Sequence, residues 1–269
     1  MFATDLDGTL LRSDRTVSAR TAEAMANAQA AGIEVVWATA RARHSVHELA
    51  QSCGFRGKAV CANGAVLLDL ADGTPEIIDT VSIDSGAAMA AMAQIRTLIP
   101  GVVFANVGAT RFVAEPAYAA LCTFTDHHRH PHEMEVSEVL PTGLESMVKI
   151  VARHPELPGA QLYRTAAAVG VTGVELTHSG AAYMEMAAES VSKASALERL
   201  CAIPGIDRSQ VAAAGDAIND VAMLTWAGTA LVPANAAPEV LALADRVLPS
   251  NDEDGVAAYL EELVRDSAA

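Results

Sequence analysis

Short apolar segments alternate with predicted helices at both ends of the chain, and this alternation restricts the fold more than any other feature of the sequence. In the first third, apolar segments ending near Leu6, at 33–38 and at 59–62 are separated by predicted helices at 18–31 and 43–53. The last third repeats the pattern, with strands at 211–214, 229–232 and 246–248 between helices at 191–203, 220–227, 238–244 and 255–266. Strands that alternate with helices are typical of parallel sheets covered on both faces. We therefore predict an α/β fold with a doubly wound parallel sheet.

The middle of the chain has a different pattern. Between residues 82 and 187, predicted helices alternate with pairs of strands, at 102–105 with 111–114 and at 174–177 with 183–186. This pattern is typical of a separate α+β unit. We predict one domain built from residues 1–81 and 188–269, and a second domain, 82–187, inserted between its halves.

Composition excludes several classes of partner. The 269 residues include 33 acidic and 18 basic side chains, a formal charge of −15 at pH 7 that repels nucleic acid and anionic membrane surfaces. No apolar run approaches the roughly 20 residues of a membrane span, and no basic leader is present, so we expect a cytoplasmic protein. Four widely spaced cysteines favour buried thiols in a reducing compartment. The first strand is short, which leaves open whether the chain begins a few residues upstream.

Two aspartates follow the first strand in the segment Asp5-Leu6-Asp7-Gly8-Thr9. Side chains two apart on a strand point the same way, so Asp5 and Asp7 can converge at the carboxyl edge of the sheet, where doubly wound folds bind ligands. The alternative is a simple turn made by aspartate and glycine.

A second acidic segment, Gly215-Asp216-Ala217-Ile218-Asn219-Asp220, follows the apolar run 211–214. Gly215 permits a sharp turn, and Asp216 and Asp220 lie near a predicted helix N-terminus. Carboxylates from two strand ends offer the hard oxygen ligands that Mg²⁺ accepts. Helix capping by these residues is the competing interpretation.

Three further residues suit phosphate binding. Thr39 and Arg41 follow the strand 33–38, and Lys193 lies near the start of a predicted helix. A hydroxyl, backbone N–H groups at a helix start and cationic side chains all hold phosphate. Each feature is weak alone, because most lysines at helix starts are solvated surface residues.

Taken in order along the chain, DLDGT, Thr39, Lys193 and GDAIND resemble the four motifs of the haloacid dehalogenase superfamily. The segments 62–65, 234–236 and 250–256 are similar to those of its Cof-like group of sugar-phosphate phosphatases. The resemblance covers the whole chain. It implies a doubly wound core with an inserted α+β cap domain in the region 82–187.

The resemblance also implies a function, that of a Mg²⁺-dependent phosphatase that hydrolyses small phosphomonoesters, sugar phosphates first among them, through an aspartyl-phosphate. Asp5 would be the nucleophile, Asp7 the general acid and base, and Lys193 a third catalytic residue that binds the phosphoryl oxygens. The implied metal ligands are Asp5, Asp7 (through its backbone carbonyl), Asp216 and, with a role in orienting Lys193 or a metal-bound water, Asp220. The implied substrate-binding residues are Thr9, Thr39, Arg41, Asn63 and Asn219.

Alternatives remain open at this stage. Ala40 and Ala194 stand where the superfamily usually has glycine, which affects rate and substrate range more than reaction class. A phosphomutase or a specialised glycosyl-phosphate phosphatase would carry similar motifs. We expect a small phosphorylated molecule as the partner and a monomer or weak homo-oligomer. The histidine-rich stretch 127–132 is interpreted first as a solvated loop, with a substrate contact, a pH-sensitive lid or a metal site as alternatives.

Overall fold

The computed structural model describes residues 1–127, 132, 134–140, 147–202 and 204–267. These residues group into two compact units. The first comprises Met1–Ala40, Val46–Ile78 and Ser192–Ala269, and the second comprises Arg41–Ser45 and Asp79–Val191. Each unit has a sheet and a hydrophobic core of its own.

The described residues form 14 strands and ten α-helices, besides short 3₁₀ turns. The strands are β1 Phe2–Thr4, β2 Val35–Ala38, β3 Lys58–Cys61, β4 Val66–Asp69, β5 Glu76–Thr80, β6 Val103–Gly108, β7 Phe112–Ala114, β8 Glu135–Val136, β9 Met147–Arg153, β10 Glu175–Thr177, β11 Met184–Ala187, β12 Ala212–Ala214, β13 Thr229–Pro233 and β14 Arg246–Leu248. The helices are α1 Ala19–Ala30, α2 Arg43–Cys53, α3 Ser85–Leu98, α4 Pro116–Leu121, α5 Phe124–His127, α6 Gly159–Val169, α7 Lys193–Ala202, α8 Val221–Trp226, α9 Pro238–Leu241 and α10 Gly255–Ser267.

The sheet of the first unit has the strand order β14-β13-β12-β1-β2-β3-β4-β5, and its pairs from β14 to β3 are parallel. Small apolar strands such as β12 and β1 are buried because helices cover parallel sheets on both faces. This arrangement confirms the predicted α/β doubly wound parallel sheet. It places β1 at the centre, with Thr4 beside both Ala214 and Trp37, so the residues that follow β1 and β12 meet at one edge.

Two strands of this sheet were absent from the sequence prediction. β4 pairs antiparallel with β3 after the short 3₁₀ turn Ala62–Gly64, and β5 extends the sheet beyond it. β5 has exposed and half-buried positions only, as expected of an edge strand. The segment of β5 has no continuous apolar run, which is the signal that a buried parallel strand leaves, whereas the apolar residues of β4 follow β3 too closely to have been separated from it.

The second unit contains a six-stranded sheet in the order β10-β11-β9-β6-β7-β8. Its strands pair antiparallel except for β7 with β8. The expected strand pairs are present as β6 with β7 and β10 with β11, whereas the central strand β9 was not predicted. Side chains from α3, α6 and one face of the sheet form its core, including Ile95, Phe104, Ile150 and Leu162.

Two composition-based expectations can be compared with the structure. All four cysteines are free thiols, and three of them are buried. Within the residues that the structure describes, no helix combines the length and apolar character required to cross a bilayer.

Candidate active site

Asp5 lies directly after the central strand β1 and is almost fully buried. Its backbone N–H donates to the carbonyl of Ala214 at 2.8 Å, which continues the parallel pairing of β1 with β12 by one residue. This bond fixes the backbone of Asp5 beside the end of β12. The carboxylate therefore lies near the residues that follow Ala214.

Lys193 is the first residue of α7, and its side chain is fully buried. The backbone N–H of Ser195 donates to Ser192 Oγ at 3.1 Å, and the N–H of Ser192 donates to Ser195 Oγ at 3.0 Å, a reciprocal cap that fixes the start of the helix. The ammonium donates to Asp5 Oδ1 at 2.5 Å and to Asp220 Oδ1 at 2.6 Å. Lys193 thus bridges two carboxylates from different strand ends.

The start of α7 is also fixed by a glycine that sequence analysis did not single out. Gly64 has φ +114° and packs so tightly that a Cβ there would collide with the carbonyl of Ser192. Only glycine combines this backbone conformation with this approach. The signal in the sequence was the segment Asn63-Gly64, a typical turn pair, but its long-range contact could not be predicted.

The turn after β12 arranges the second acidic segment. Asp220 Oδ2 accepts hydrogen bonds from the backbone N–H groups of Asp216 and Ala217, both at 3.0 Å. A Cβ on Gly215 would collide with the Asp220 side chain, so glycine is required for this tight turn. Asp220 is therefore both a backbone cap, as the competing interpretation expected, and a partner of Lys193.

Thr9 lies in the same loop as Asp5 and contacts the opposite acidic segment. Its hydroxyl donates to Asp216 Oδ1 at 2.6 Å, and its side chain is 1% exposed. Gly8, at φ +86°, leaves room for Asp216 Oδ2, with which a Cβ would collide. This contact gives Thr9 a role in orienting Asp216, a different role from the phosphate contact predicted for it.

The charges of the cluster shift the pKa values of its members. Burial raises the pKa of Asp5 well above its usual value, Lys193 opposes this, and the neighbouring carboxylates add to it. Burial and Asp220 raise the pKa of Asp216 to about 6, against the hydrogen bond from Thr9 and the charge of Lys193. Burial lowers the pKa of Lys193, but Asp220 and Asp5 outweigh it, so the net shift is upward and the ammonium stays charged.

Asp5, Asp216 and Asp220 form a group whose oxygens could hold a metal ion. One oxygen of each lies within 4.8 Å of the others. Three carboxylates face the single ammonium of Lys193, so the cluster carries an excess of negative charge that a divalent cation would offset. Hard carboxylate oxygens suit Mg²⁺, and the donor set therefore fits such an ion. Both oxygens of Asp220 already accept hydrogen bonds, which leaves Asp5 and Asp216 as the better metal ligands.

Thr39, Asn63 and Asn219 are linked along the same edge of the sheet. The backbone N–H of Asn63 donates to the carbonyl of Thr39 at 3.0 Å, and Asn219 Nδ2 donates to Asn63 Oδ1 at 3.1 Å. Asn63 has φ +57°, a conformation that asparagine tolerates better than most residues. Asn219 Oδ1 is buried and has no hydrogen-bond partner in the described structure. The structure thus brings these three predicted residues together.

The remaining predicted residues are Asp7 and Arg41. Asp7 is exposed, in contrast to the buried Asp5, and its position is compatible with contact to a molecule from solvent. Arg41 lies in the segment Arg41–Ser45, which groups with the second unit, and its Nη1 is 3.5 Å from Ser45 Oγ. A role of Arg41 in substrate binding therefore stays a prediction.

The second unit has a polar cluster that changes the interpretation of the histidine-rich stretch. His127 is the last residue of α5, it stacks on Tyr183 with ring centroids 4.7 Å apart, and its Nε2 lies 2.8 Å from Tyr118 Oη. Burial lowers its pKa to about 3. The solvated-loop interpretation is therefore wrong for His127, whereas residues 128–131 lie outside the described residues. In the same unit, Lys149 and Glu185 form a buried ion pair at 2.6 Å, and the charge of Lys149 also lowers the pKa of His127.

Known proteins are similar to this chain over nearly its whole length. The family model described as haloacid dehalogenase-like hydrolase matches residues 2–260. Phosphatase YwpJ from Bacillus subtilis is 28% identical over 292 residues, which cover 98% of this chain and 99% of that protein. Pyridoxal phosphate phosphatase YbhA from Escherichia coli is 26% identical over 267 residues, 97% of each chain. The crystal structure of SMU.1108c from Streptococcus mutans is similar in fold, with a TM-score of 0.83 at 23% identity over 98% of each chain.

Proposed function

The chain belongs to the haloacid dehalogenase-like hydrolases, and from this premise we propose that it is a Mg²⁺-dependent phosphatase that hydrolyses small phosphomonoesters through an aspartyl-phosphate on Asp5. Family membership confirms that the chain is an enzyme of the predicted superfamily. The observation that carries the proposal is the contact of buried Lys193 with both Asp5 and Asp220, beside Asp216. Several similar proteins are named phosphatases, including YwpJ and YbhA.

Asp5 would act as the nucleophile. Its carboxylate is held by Lys193, and its backbone is fixed by the bond to Ala214, so the oxygen that attacks phosphorus has a defined position. Attack by a carboxylate oxygen displaces the alcohol and forms an acyl phosphate, which splits one difficult displacement into two easier ones. Lys193 would neutralise part of the charge on the transferred group.

Asp7 would supply and remove protons. It is exposed two residues after Asp5, and a carboxylic acid there can protonate the leaving alcohol and then take a proton from the attacking water. Asn63, Asn219 and Thr39 would contact the phosphoryl oxygens from the neighbouring strand ends. Thr9 would act through Asp216 rather than on the substrate.

Magnesium would be held by the carboxylates of Asp5 and Asp216 and by the backbone carbonyl of Asp7, with Asp220 positioning Lys193. Bound there, the ion supplies positive charge that offsets the carboxylates and the incoming phosphate. The chain's own residues then carry the binding and the proton transfers.

The substrate class proposed is sugar phosphates. The resemblance to the Cof-like group supports it, although similar proteins carry names with other small phosphomonoesters, such as pyridoxal phosphate. We propose that region 82–187 is the cap domain that selects the leaving group, that Arg41 contributes to substrate binding, and that the enzyme works in the cytoplasm as a monomer or weak homo-oligomer.

The test is phosphate release from a panel of sugar phosphates, nucleotides and cofactor phosphates, with Mg²⁺ or with EDTA. Wild type is compared with Asp5→Asn, an almost isosteric change that removes the nucleophile, and circular dichroism verifies that the variant is folded. Release that requires Mg²⁺ and is lost in Asp5→Asn supports the proposal. A folded wild type that releases no phosphate from any ester contradicts it, and conversion of a hexose 1-phosphate to an isomer would indicate a phosphomutase instead.

A further inference from the structure

The loop that follows the nucleophile is fastened to a distant part of the chain. We call the four residues Asn235, Asn251, Asp252 and Asp254 the loop clamp. All four make side-chain or backbone hydrogen bonds that connect them to residues 8–13 or to one another. The four superfamily motifs do not include them, and the proposed chemistry gives them no role.

The inner part of the clamp acts on the backbone of the loop. Asn235 Nδ2 donates to the carbonyl of Gly8 at 2.8 Å, and Asn235 Oδ1 accepts from the backbone N–H of Asn251 at 2.9 Å. Asn251 Nδ2 in turn donates to the carbonyl of Leu11 at 2.9 Å in a buried position. Asn235 therefore uses both ends of its amide, one on the loop and one on the segment that holds the loop.

The outer part of the clamp acts on side chains. Asp254 accepts two hydrogen bonds from Arg12, at 3.0 and 2.7 Å, and Asp252 accepts two from Ser13, at 2.8 and 2.7 Å. These contacts involve residues that lie farther along the chain from Asp5, and the Ser13 contacts are exposed, as the Asn235 contact to Gly8 is. A substitution in the outer part can therefore serve as the control for a substitution at Asn235.

The position of Gly8 explains why its carbonyl matters. Gly8 has φ +86° and lies between Asp7 and Thr9. Glycine in the left-handed region has more accessible conformations than other residues, so a hydrogen bond to its carbonyl removes freedom that the loop would otherwise keep. The Gly8 carbonyl belongs to the peptide plane that joins Gly8 to Thr9, so the bond holds one side of Gly8 and limits the rotations about Gly8 through which Asp7 could move relative to the rest of the loop.

We propose that Asn235 is a positioning residue for the reaction, which holds Asp7 where it can protonate the leaving alcohol. The inference rests on the proposed phosphatase function. Asn235 touches neither substrate nor the carboxylate cluster in this assignment; it acts through the Gly8 carbonyl. A displacement of an acid by about 1 Å is enough to reduce proton transfer strongly.

The experiment compares two leaving groups. An alkyl phosphate such as a hexose 6-phosphate needs protonation of its poor leaving group, whereas p-nitrophenyl phosphate needs little. The value of kcat/KM covers the steps up to departure of the alcohol. The ratio of kcat/KM for the two substrates therefore measures how much Asp7 contributes as a general acid. Wild type is compared with Asn235→Ala, with Asn235→Asp, which keeps the acceptor for Asn251 but loses the donor to Gly8, and with Ser13→Ala as the outer-clamp control.

We expect both Asn235 variants to lose about tenfold or more in kcat/KM on the alkyl phosphate and much less on p-nitrophenyl phosphate, as loss of general acid catalysis would. Ser13→Ala should keep the wild-type ratio. If Asn235→Ala fails to fold, the ratio for Asn235→Asp decides. An unchanged ratio in the folded variants overturns the inference while the phosphatase function stands, and a wild type inactive on every ester overturns the function and this inference with it.

Discussion

At the scale of single residues, Asp216 shows how one carboxylate is fixed from several sides. Its Oδ1 accepts from Thr9 at 2.6 Å, its backbone N–H donates to Asp220, and its carbonyl accepts from Ala237 at 3.2 Å. Gly8 leaves room for Oδ2, the oxygen that has no donor among the described residues. One oxygen is thus oriented by a hydrogen bond and the other would be available to the proposed cation, an arrangement common around metal sites.

Replacing Thr9 by valine should weaken Mg²⁺ binding. Valine has nearly the same shape but cannot donate to Asp216, so the carboxylate loses its orienting bond, and loss of such an outer contact costs about tenfold or more in metal affinity. Titration calorimetry of the substrate-free protein with MgCl₂ measures the effect directly. Thr9→Ser is the matched control, because it keeps the hydroxyl and should stay near wild type. Equal affinities for Thr9→Val and wild type would contradict the role.

The pKa of Asp216, about 6, predicts how the metal-free protein responds to pH. Between pH about 4 and 6 the folded protein keeps a proton that the unfolded chain has lost, so the free energy of unfolding falls as pH rises through this range. The raised pKa of Asp5 acts in the same direction. In EDTA, the Tm of Asp216→Asn should therefore fall less, or rise more, than that of wild type from pH 4.5 to 6.5. Parallel pH profiles of Tm would show that Asp216 has no such shift.

At the scale of secondary-structure elements, the sequence predicted what local patterns encode. The alternation of buried strands and helices gave β1, β2, β3 and the strands after α7, since strands covered on both faces leave continuous apolar runs. β5 lacked that signal, because it lies at an edge and has only exposed and half-buried positions. β4 and β9 are almost fully buried, but β4 follows β3 after a short turn and Lys149 interrupts the apolar residues of β9, so neither was recognised as a separate strand. Asp5 and Asp216 could be predicted as neighbours because parallel strand ends share an edge. The Thr9 contact could not, since it joins residues 207 positions apart through side-chain rotamers.

The contact between Gly64 and the start of α7 yields an element-scale prediction. A Cβ at Gly64 would meet the carbonyl of Ser192 and would also require φ +114°, so Gly64→Ala should displace the helix that carries Lys193. Gly54→Ala is the control, because Gly54 has φ +72° with nothing within 4 Å, and it should cost only the backbone penalty of about 1–2 kcal/mol. Chemical denaturation should give a larger loss of unfolding free energy for Gly64→Ala. Equal losses would mean that the helix start tolerates the added atom.

At the scale of the whole molecule, the dominant property is the formal charge of −15 at pH 7. Such an excess destabilises a compact state by self-repulsion while it keeps the protein soluble. Attractive surface pairs such as Arg20 with Glu261 oppose this only slightly, because exposed ion pairs contribute about 0–1 kcal/mol each. We therefore expect repulsion between the excess carboxylates to outweigh attraction between exposed pairs, with a balance that depends on the salt concentration.

Salt should accordingly stabilise the metal-free protein at neutral pH. When NaCl rises from about 10 to 200 mM, the screening length falls from about 30 Å to less than 10 Å, which weakens long-range repulsion more than short-range attraction. In EDTA at pH 7.5 the Tm should rise by a few degrees over this range. Near the isoelectric point, about 4.8, the net charge vanishes and the same salt should have little effect or lower the Tm slightly, as attractive pairs are screened. Differential scanning calorimetry at both pH values tests the prediction, and a Tm that falls with salt at pH 7.5 would mean that attractive pairs, not excess negative charge, dominate the electrostatic free energy of this fold.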